Sequence, residues 1–173
     1  MISHNYFVTK YDLPLGQHLS AIIPSPTYET LSKLIYDSFH RSINEIYYMQ
    51  PSILYLLTTD LSRLNVIASA AITYSIPTFI SRESVKSTNI CYLFNVCTSP
   101  EFRGKRIMEK LLIYMFKDLS HHQPLTILLI VDPDNSSAKK LYYRLGFRII
   151  NQLRGVIPTA KGYAELLSFK PIF

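Results

Sequence analysis

An α/β fold, in which helices cover a mixed β-sheet, is predicted by three features of the sequence. Leu125 to Val131 is a continuous apolar run rich in β-branched residues, the pattern of a strand buried on both faces. Around it the periodicity runs strand–helix–strand–helix–strand, which requires parallel or nearly parallel neighbours with helices over the sheet. The remaining strands read as antiparallel meander. The 173 residues supply one hydrophobic core, so a single domain over 1–173 is expected.

The elements follow in order. Tyr6 to Lys10 alternates like an opening strand. Ser25-Pro26 offers an N-cap followed by proline in the first helical position, and Leu31, Leu34, Ile35 and Phe39 then recur on one face, predicting a helix over Thr27 to Phe39. Ile53 to Thr59 and Val66 to Ile76 form a hairpin around Asp60–Asn65. Pro77 to Asn89, with Arg82, Glu83 and Lys86, is a polar loop before a strand over Ile90 to Thr98, which Pro100 ends. Ile107, Met108, Leu111, Leu112, Met115 and Phe116 then mark a helix from about Gly104 to Leu119. After the Leu125–Val131 strand, Asp132-Pro133-Asp134-Asn135 punctuates the chain. Ala138, Leu141, Tyr142 and Leu145 form a helical stripe closed by Gly146 as a left-handed cap. Phe147 to Asn151 and Tyr163 to Phe169 complete the strands.

Composition narrows the function. Hydrophobic residues make up 48% and charged residues 17%, which fits a folded protein and excludes a disordered one. The Leu125–Val131 run is about a third of a membrane span, so no segment is expected to cross a bilayer. The opening residues lack a basic stretch followed by an apolar one, so no secretion signal is expected. Cys91 and Cys97, six apart on one strand, are not placed for an easy bridge and are too few for a disulfide frame or zinc site. A reducing, cytoplasmic setting is the simplest expectation. The net charge of +6 is uneven: residues 1–80 carry four Lys/Arg against five Asp/Glu, residues 81–173 fourteen against seven. The second half therefore attracts anions, or simply presents a solvated basic face. Its cations come in ones and twos without a nucleic-acid motif, which argues against nucleic acid.

One stretch suits an anion directly. In Asn95-Val96-Cys97-Thr98-Ser99-Pro100-Glu101-Phe102-Arg103-Gly104-Lys105-Arg106-Ile107, a strand enters a tight turn that opens a helix. A helix's first turn has unpaired N–H groups and a partial positive charge, an arrangement suited to phosphate. Gly104 permits an unusual backbone angle, and Arg103, Lys105 and Arg106 add charge. A strand-to-helix turn with solvated cations would look the same. In the second stretch, Asn135 starts a helix and Tyr142 lies two turns on, close to the same face.

Together the two stretches resemble the GNAT superfamily of acyl-CoA-dependent N-acetyltransferases, over about Ile90 to Phe147. Asn135-x-x-Ala138-x-x-Leu141-Tyr142-x-x-Leu145-Gly146-Phe147 is similar to that family's second cofactor motif, and Asn95 to Lys105 to the strand and turn of its first. The resemblance implies a central mixed sheet splayed at its middle and acetyl-CoA as cosubstrate, without a metal. Its diphosphate would lie on Arg103, Gly104, Lys105, Arg106, Ile107 and Met108. Its pantetheine arm would pair with the backbone of Val96 and Thr98, near Asn135 and Ala138. The family pattern Arg/Gln-x-x-Gly-x-Gly/Ala meets Arg103 here, but Arg106 and Met108 stand at the Gly and Gly/Ala positions. Either side chain could crowd the cofactor, or Arg106 could turn outward or pair with phosphate.

The resemblance also implies Tyr142 as the acid that protonates the leaving thiolate, with packing as its ordinary role. Asn135 would bond the pantetheine amides or simply cap its helix. Lys139, Lys140 and Arg144 read as exposed helix charge. No acidic residue on Ile90–Thr98 can serve as base. Glu83, Asp132, His121 and His122 are in sequence reach, as is relayed water, and His121-His122 reads as a surface pair rather than a metal site. Cys97 reads as a small buried hydrophobe rather than an acyl carrier. The acceptor, a small-molecule or protein amine, would meet Thr27–Ile46 and Gly155–Gly162. The alternatives are a non-catalytic CoA-binding sensor or interaction module on the same fold and, more distantly, a basic scaffold for nucleic acid. Monomer and homodimer both remain open.

Overall fold

The computed structural model describes residues 6–44, 51–60, 62, 64–80, 85, 89–120 and 125–171. Glu83, His121 and His122, proposed above as possible bases, lie outside the described residues. The seven strands are β1 (Phe7–Leu13), β2 (Ser52–Thr58), β3 (Val66–Thr73), β4 (Ile90–Thr98), β5 (Thr126–Val131), β6 (Arg148–Arg154) and β7 (Tyr163–Phe169). The helices are α1 (Ser25–Phe39), α2 (Ile107–Ser120) and α3 (Ser136–Arg144). The strands follow the order β1-β2-β3-β4-β5-β7-β6. They belong to two compact units, Met1–Thr73 with Phe94–Met115 and Tyr74–Leu93 with Phe116–Phe173. The halves of β4 fall in different units.

In the first unit β1 pairs with β2 from Phe7↔Thr58 to Leu13↔Ser52, so the opening strand runs past Lys10 because its partner does. β2 and β3 form the antiparallel hairpin expected around Asp60–Asn65, although β3 stops at Thr73 and not Ile76. Along α1, Thr27, Leu31, Leu34 and Ile35 are buried at helical spacing. Leu31, Leu34 and Ile35 join Leu54, Leu56 and Cys97 in this unit's core. Two expectations for α1 are corrected. Ser25 is its first residue and not its cap, Pro24 standing in the N-cap position, and the Ser25 hydroxyl donates to Glu29 instead. Phe39 at the C-terminal end remains 36% exposed.

In the second unit the first residues of β4 run parallel to β5, Ile90↔Thr126 to Tyr92↔Leu128. β5 is buried at all but Ile130, as its apolar run requires. The expectation that β5, α3 and the next strand make adjacent parallel neighbours is corrected: β7 lies antiparallel to β5, and β6 pairs outside β7. β6 is therefore parallel to β5 without touching it. It starts at Arg148, extends to Arg154 and is exposed over most of its length, as an edge strand must be. Phe116, Phe147 and Phe169 form an aromatic cluster with centroids 5.1–6.0 Å apart.

Candidate cofactor-binding site

The strand-to-helix turn lies in the first unit. Midway along β4, Asn95 has φ 51°, a left-handed conformation characteristic of bulges. Strand β3 supports it. The Ser69 hydroxyl donates to the Asn95 carbonyl at 3.4 Å and stands 3.1 Å from Cys97 Sγ. Beyond β4 the Ser99 N–H bonds to Ile67 O at 2.8 Å, and Pro100–Phe102 make a 3-10 turn closed by Phe102 N–H on Ser99 O at 2.9 Å.

Arg103 Nε reaches back to donate to Thr98 O at 3.2 Å, tying the turn to the strand end. Gly104 follows at φ 73°, where an added Cβ would meet nothing within 4 Å; glycine is needed there for the angle and not for space. Arg106 is also left-handed, at φ 56°. Its carbonyl accepts the first bond of α2, from Lys110 N–H at 3.2 Å.

The helix thus begins at Ile107, three residues after the predicted start, because two left-handed residues unwind the segment before it. Ile107 and Met108 are 2% and 8% exposed. What they can offer an anion is backbone N–H, which the first turn leaves without an intrahelical acceptor. Arg103, Gly104, Lys105 and Arg106 are all exposed, and Lys105 Nζ sits 5.2 Å from the centre of the Phe102 ring. The turn gathers three cations and a helix N-terminus, a combination that favours a polyanion.

The second unit holds Asn135, Ala138 and Tyr142. Asp132 Oδ1 accepts from Asp134 N–H at 2.9 Å, an Asx turn that uses the carboxylate structurally. Asn135 Oδ1 then caps α3 by accepting from Ala138 N–H at 3.0 Å. Lys139 Nζ donates to Pro133 O at 3.3 Å and to Glu165 Oε1 at 3.0 Å, and lies 2.8 Å from Glu165 Oε2. The bond to Glu165 raises the Lys139 pKa. Lys161 and Asp134 pair at 2.9 Å. These contacts hold the loop before α3 against β7, and nothing in the sequence pattern announces them. Tyr142 is 6% exposed, its ring 5.6 Å from that of Phe147.

Both cysteines are free and buried. Burial pushes the Cys91 thiol up to about 12 and raises that of Cys97. Thiols so protonated are poor nucleophiles, in keeping with a packing role. Among the described residues no group of three or more His, Cys, Asp or Glu is arranged to hold a metal, and no helix is long and apolar enough to cross a membrane.

A cationic turn at a helix N-terminus suits a ligand that carries phosphate groups. The profile of the Acetyltransferase (GNAT) family matches residues 28–147, and the chain belongs to that family. Solved structures share the fold. The ribosomal-protein-S18-alanine N-acetyltransferase of Escherichia coli is 16% identical with a TM-score of 0.67, over 96% of this chain and 94% of that one. NAA60 of Arabidopsis thaliana, with a bisubstrate analogue, is 15% identical with a TM-score of 0.71, over 97% and 100%. An aminoglycoside 6'-N-acetyltransferase complexed with coenzyme A is 12% identical with a TM-score of 0.64, over 84% and 91%. No curated protein sequence matches the chain.

Proposed function

We propose that this protein is an N-acetyltransferase that moves an acetyl group from acetyl-CoA to a primary amine by direct attack. The observation that carries the reading is the left-handed Gly104/Arg106 turn opening α2 amid three cations, inside the family match. The residues present fit a diphosphate: the N–H groups of Ile107 and Met108 provide the helix-terminal donors, and Lys105 and Arg106 the charge. Arg106, at a position where the family pattern has glycine, takes a left-handed conformation that glycine adopts readily, which supports retained cofactor binding. By resemblance to the family, the pantetheine arm would pair with the backbone of Val96 and Thr98. Asn135 and Ala138 would flank that arm, although Asn135 Oδ1 is already engaged in capping.

Backbone donors fixed before reaction stabilise the oxyanion more than the ground state. Tyr142 is the acid that would return a proton to the departing thiolate. The acceptor is an amine of a small molecule or a protein; the relatives named above act on both kinds. The two interleaved units, each built from segments flanking the other's, support one catalytic domain over 1–173, and the free, buried thiols suit the cytoplasm.

Titration calorimetry with acetyl-CoA and CoA, followed by a thiol-release assay over a panel of amines, tests the reading. Binding with amine-dependent CoA release is expected. Absence of heat at millimolar CoA would sink it, and binding without release from any amine would return the sensor reading. Tyr142→Phe is expected to bind acetyl-CoA within about twofold of wild type and to turn over at least about tenfold more slowly. Unchanged turnover would remove Tyr142 as the acid.

A further inference from the structure

β3 is buried along its whole length, and most of its side chains are aliphatic. Ser69 is the exception in the middle of the strand, fully buried yet carrying a hydroxyl. A buried hydroxyl costs stability unless its bonds are made, so its partners explain its presence. They are the carbonyl of Asn95 and the sulfur of Cys97, both on β4. One hydrogen is available on the hydroxyl. When it goes to Asn95 O, the Cys97 S–H completes the chain by donating to Ser69 Oγ. Burial keeps that thiol protonated.

Asn95 is the left-handed residue of β4, one position before Val96. Asparagine tolerates that conformation better than most residues but does not require it. The Asn95 carbonyl accepts from the Ser69 hydroxyl, which ties this residue to β3. We infer that Ser69 is a positioning residue, whose hydroxyl holds Asn95 left-handed and so sets the direction of the Val96 and Thr98 peptide groups offered to the acyl-carrying cosubstrate. This role rests on the acetyltransferase reading; the clamp on Asn95 does not. Without the hydroxyl, β4 relaxes towards regular extension, and a one-residue change of alternation redirects every group beyond it.

The test compares wild type with Ser69→Ala, Thr73→Val and the double variant Ser69→Ala/Asn95→Gly. Thr73 lies on the same strand, is equally buried and donates to Pro51 O at 2.7 Å, so it controls for the mere loss of a buried bond. The HN–Hα coupling and Cα shift of residue 95, measured by NMR without ligand, report the clamp. The acetyl-CoA dissociation constant reports the positioning. Ser69→Ala is expected to lose the left-handed signature and to bind acetyl-CoA about tenfold more weakly. Thr73→Val is expected to keep both, and Asn95→Gly to restore binding in the double variant, because glycine adopts the angle unaided. Retention of the left-handed signature in Ser69→Ala overturns the clamp. Its loss with unchanged affinity, or equal weakening by Thr73→Val, overturns the positioning role. Wild type that fails to bind acetyl-CoA overturns the acetyltransferase reading, while the NMR comparison still decides the clamp.

Discussion

Arg106 holds a backbone angle that costs a non-glycine residue on the order of 1–3 kcal/mol, at an exposed position where its side chain has no packing to offset the strain. The fold therefore keeps an arginine where glycine is easier. Arg106→Gly should stabilise the protein by about 1 kcal/mol, raising Tm by roughly 2–4 °C in scanning calorimetry. The same variant should weaken acetyl-CoA binding severalfold and flatten its dependence on salt, because one cation is gone. Arg106→Ala should reproduce the weaker binding without the gain in Tm. A lower Tm for Arg106→Gly would contradict the strain. The residue types of the turn were legible in the sequence, but the angle was not: charge and helical periodicity say nothing of φ, and only the glycine of the family pattern hinted at it. Ser69 was illegible for a different reason, since a serine within a strand acquires meaning only from what stands opposite.

At the scale of the element, α3 shows how short helices are held at both ends. Asn135 caps the start, and Gly146 at φ 99° ends it, with Gly146 N–H on Tyr143 O and Phe147 N–H on Tyr142 O. An added Cβ at Gly146 would stand 2.9 Å from the Phe169 ring. Gly146→Ala combines a disfavoured angle with a clash in the aromatic cluster and should destabilise by about 2–4 kcal/mol, measured by urea unfolding. A change within 0.5 kcal/mol would show that the ring moves freely aside. Both ends of this helix were readable, because caps are written in residue types at fixed spacing. The α2 start was not, since it is set by the backbone angles of Gly104 and Arg106, nor was the extent of β6, which is set by its pairing with β7.

Across the whole molecule, the two thiols report on unfolding. Cys91 and Cys97 sit six residues apart on one strand but in different units. The Cys91 pKa is raised from 9.0 to about 12 by burial. The folded state keeps the proton that the unfolded state loses above pH 9, so this contribution is intact below pH 9 and declines as the pH climbs towards 12. Each such thiol adds a slope of about 1.4 kcal/mol per pH unit. Cys91→Ala should flatten the alkaline limb of stability measured by urea unfolding between pH 9 and 11. An unchanged slope would mean that the thiol reaches solvent before unfolding.

The position of β7 between β5 and β6 has a consequence for biogenesis. During translation β6 leaves the ribosome first and finds no edge to join, since the strand that must sit beside it is still being made. Until β7 is made, β6 lacks the strand it pairs with and β5 lacks its antiparallel neighbour. Completion of this half of the protein is then a single late insertion, a moment when chaperone protection matters most.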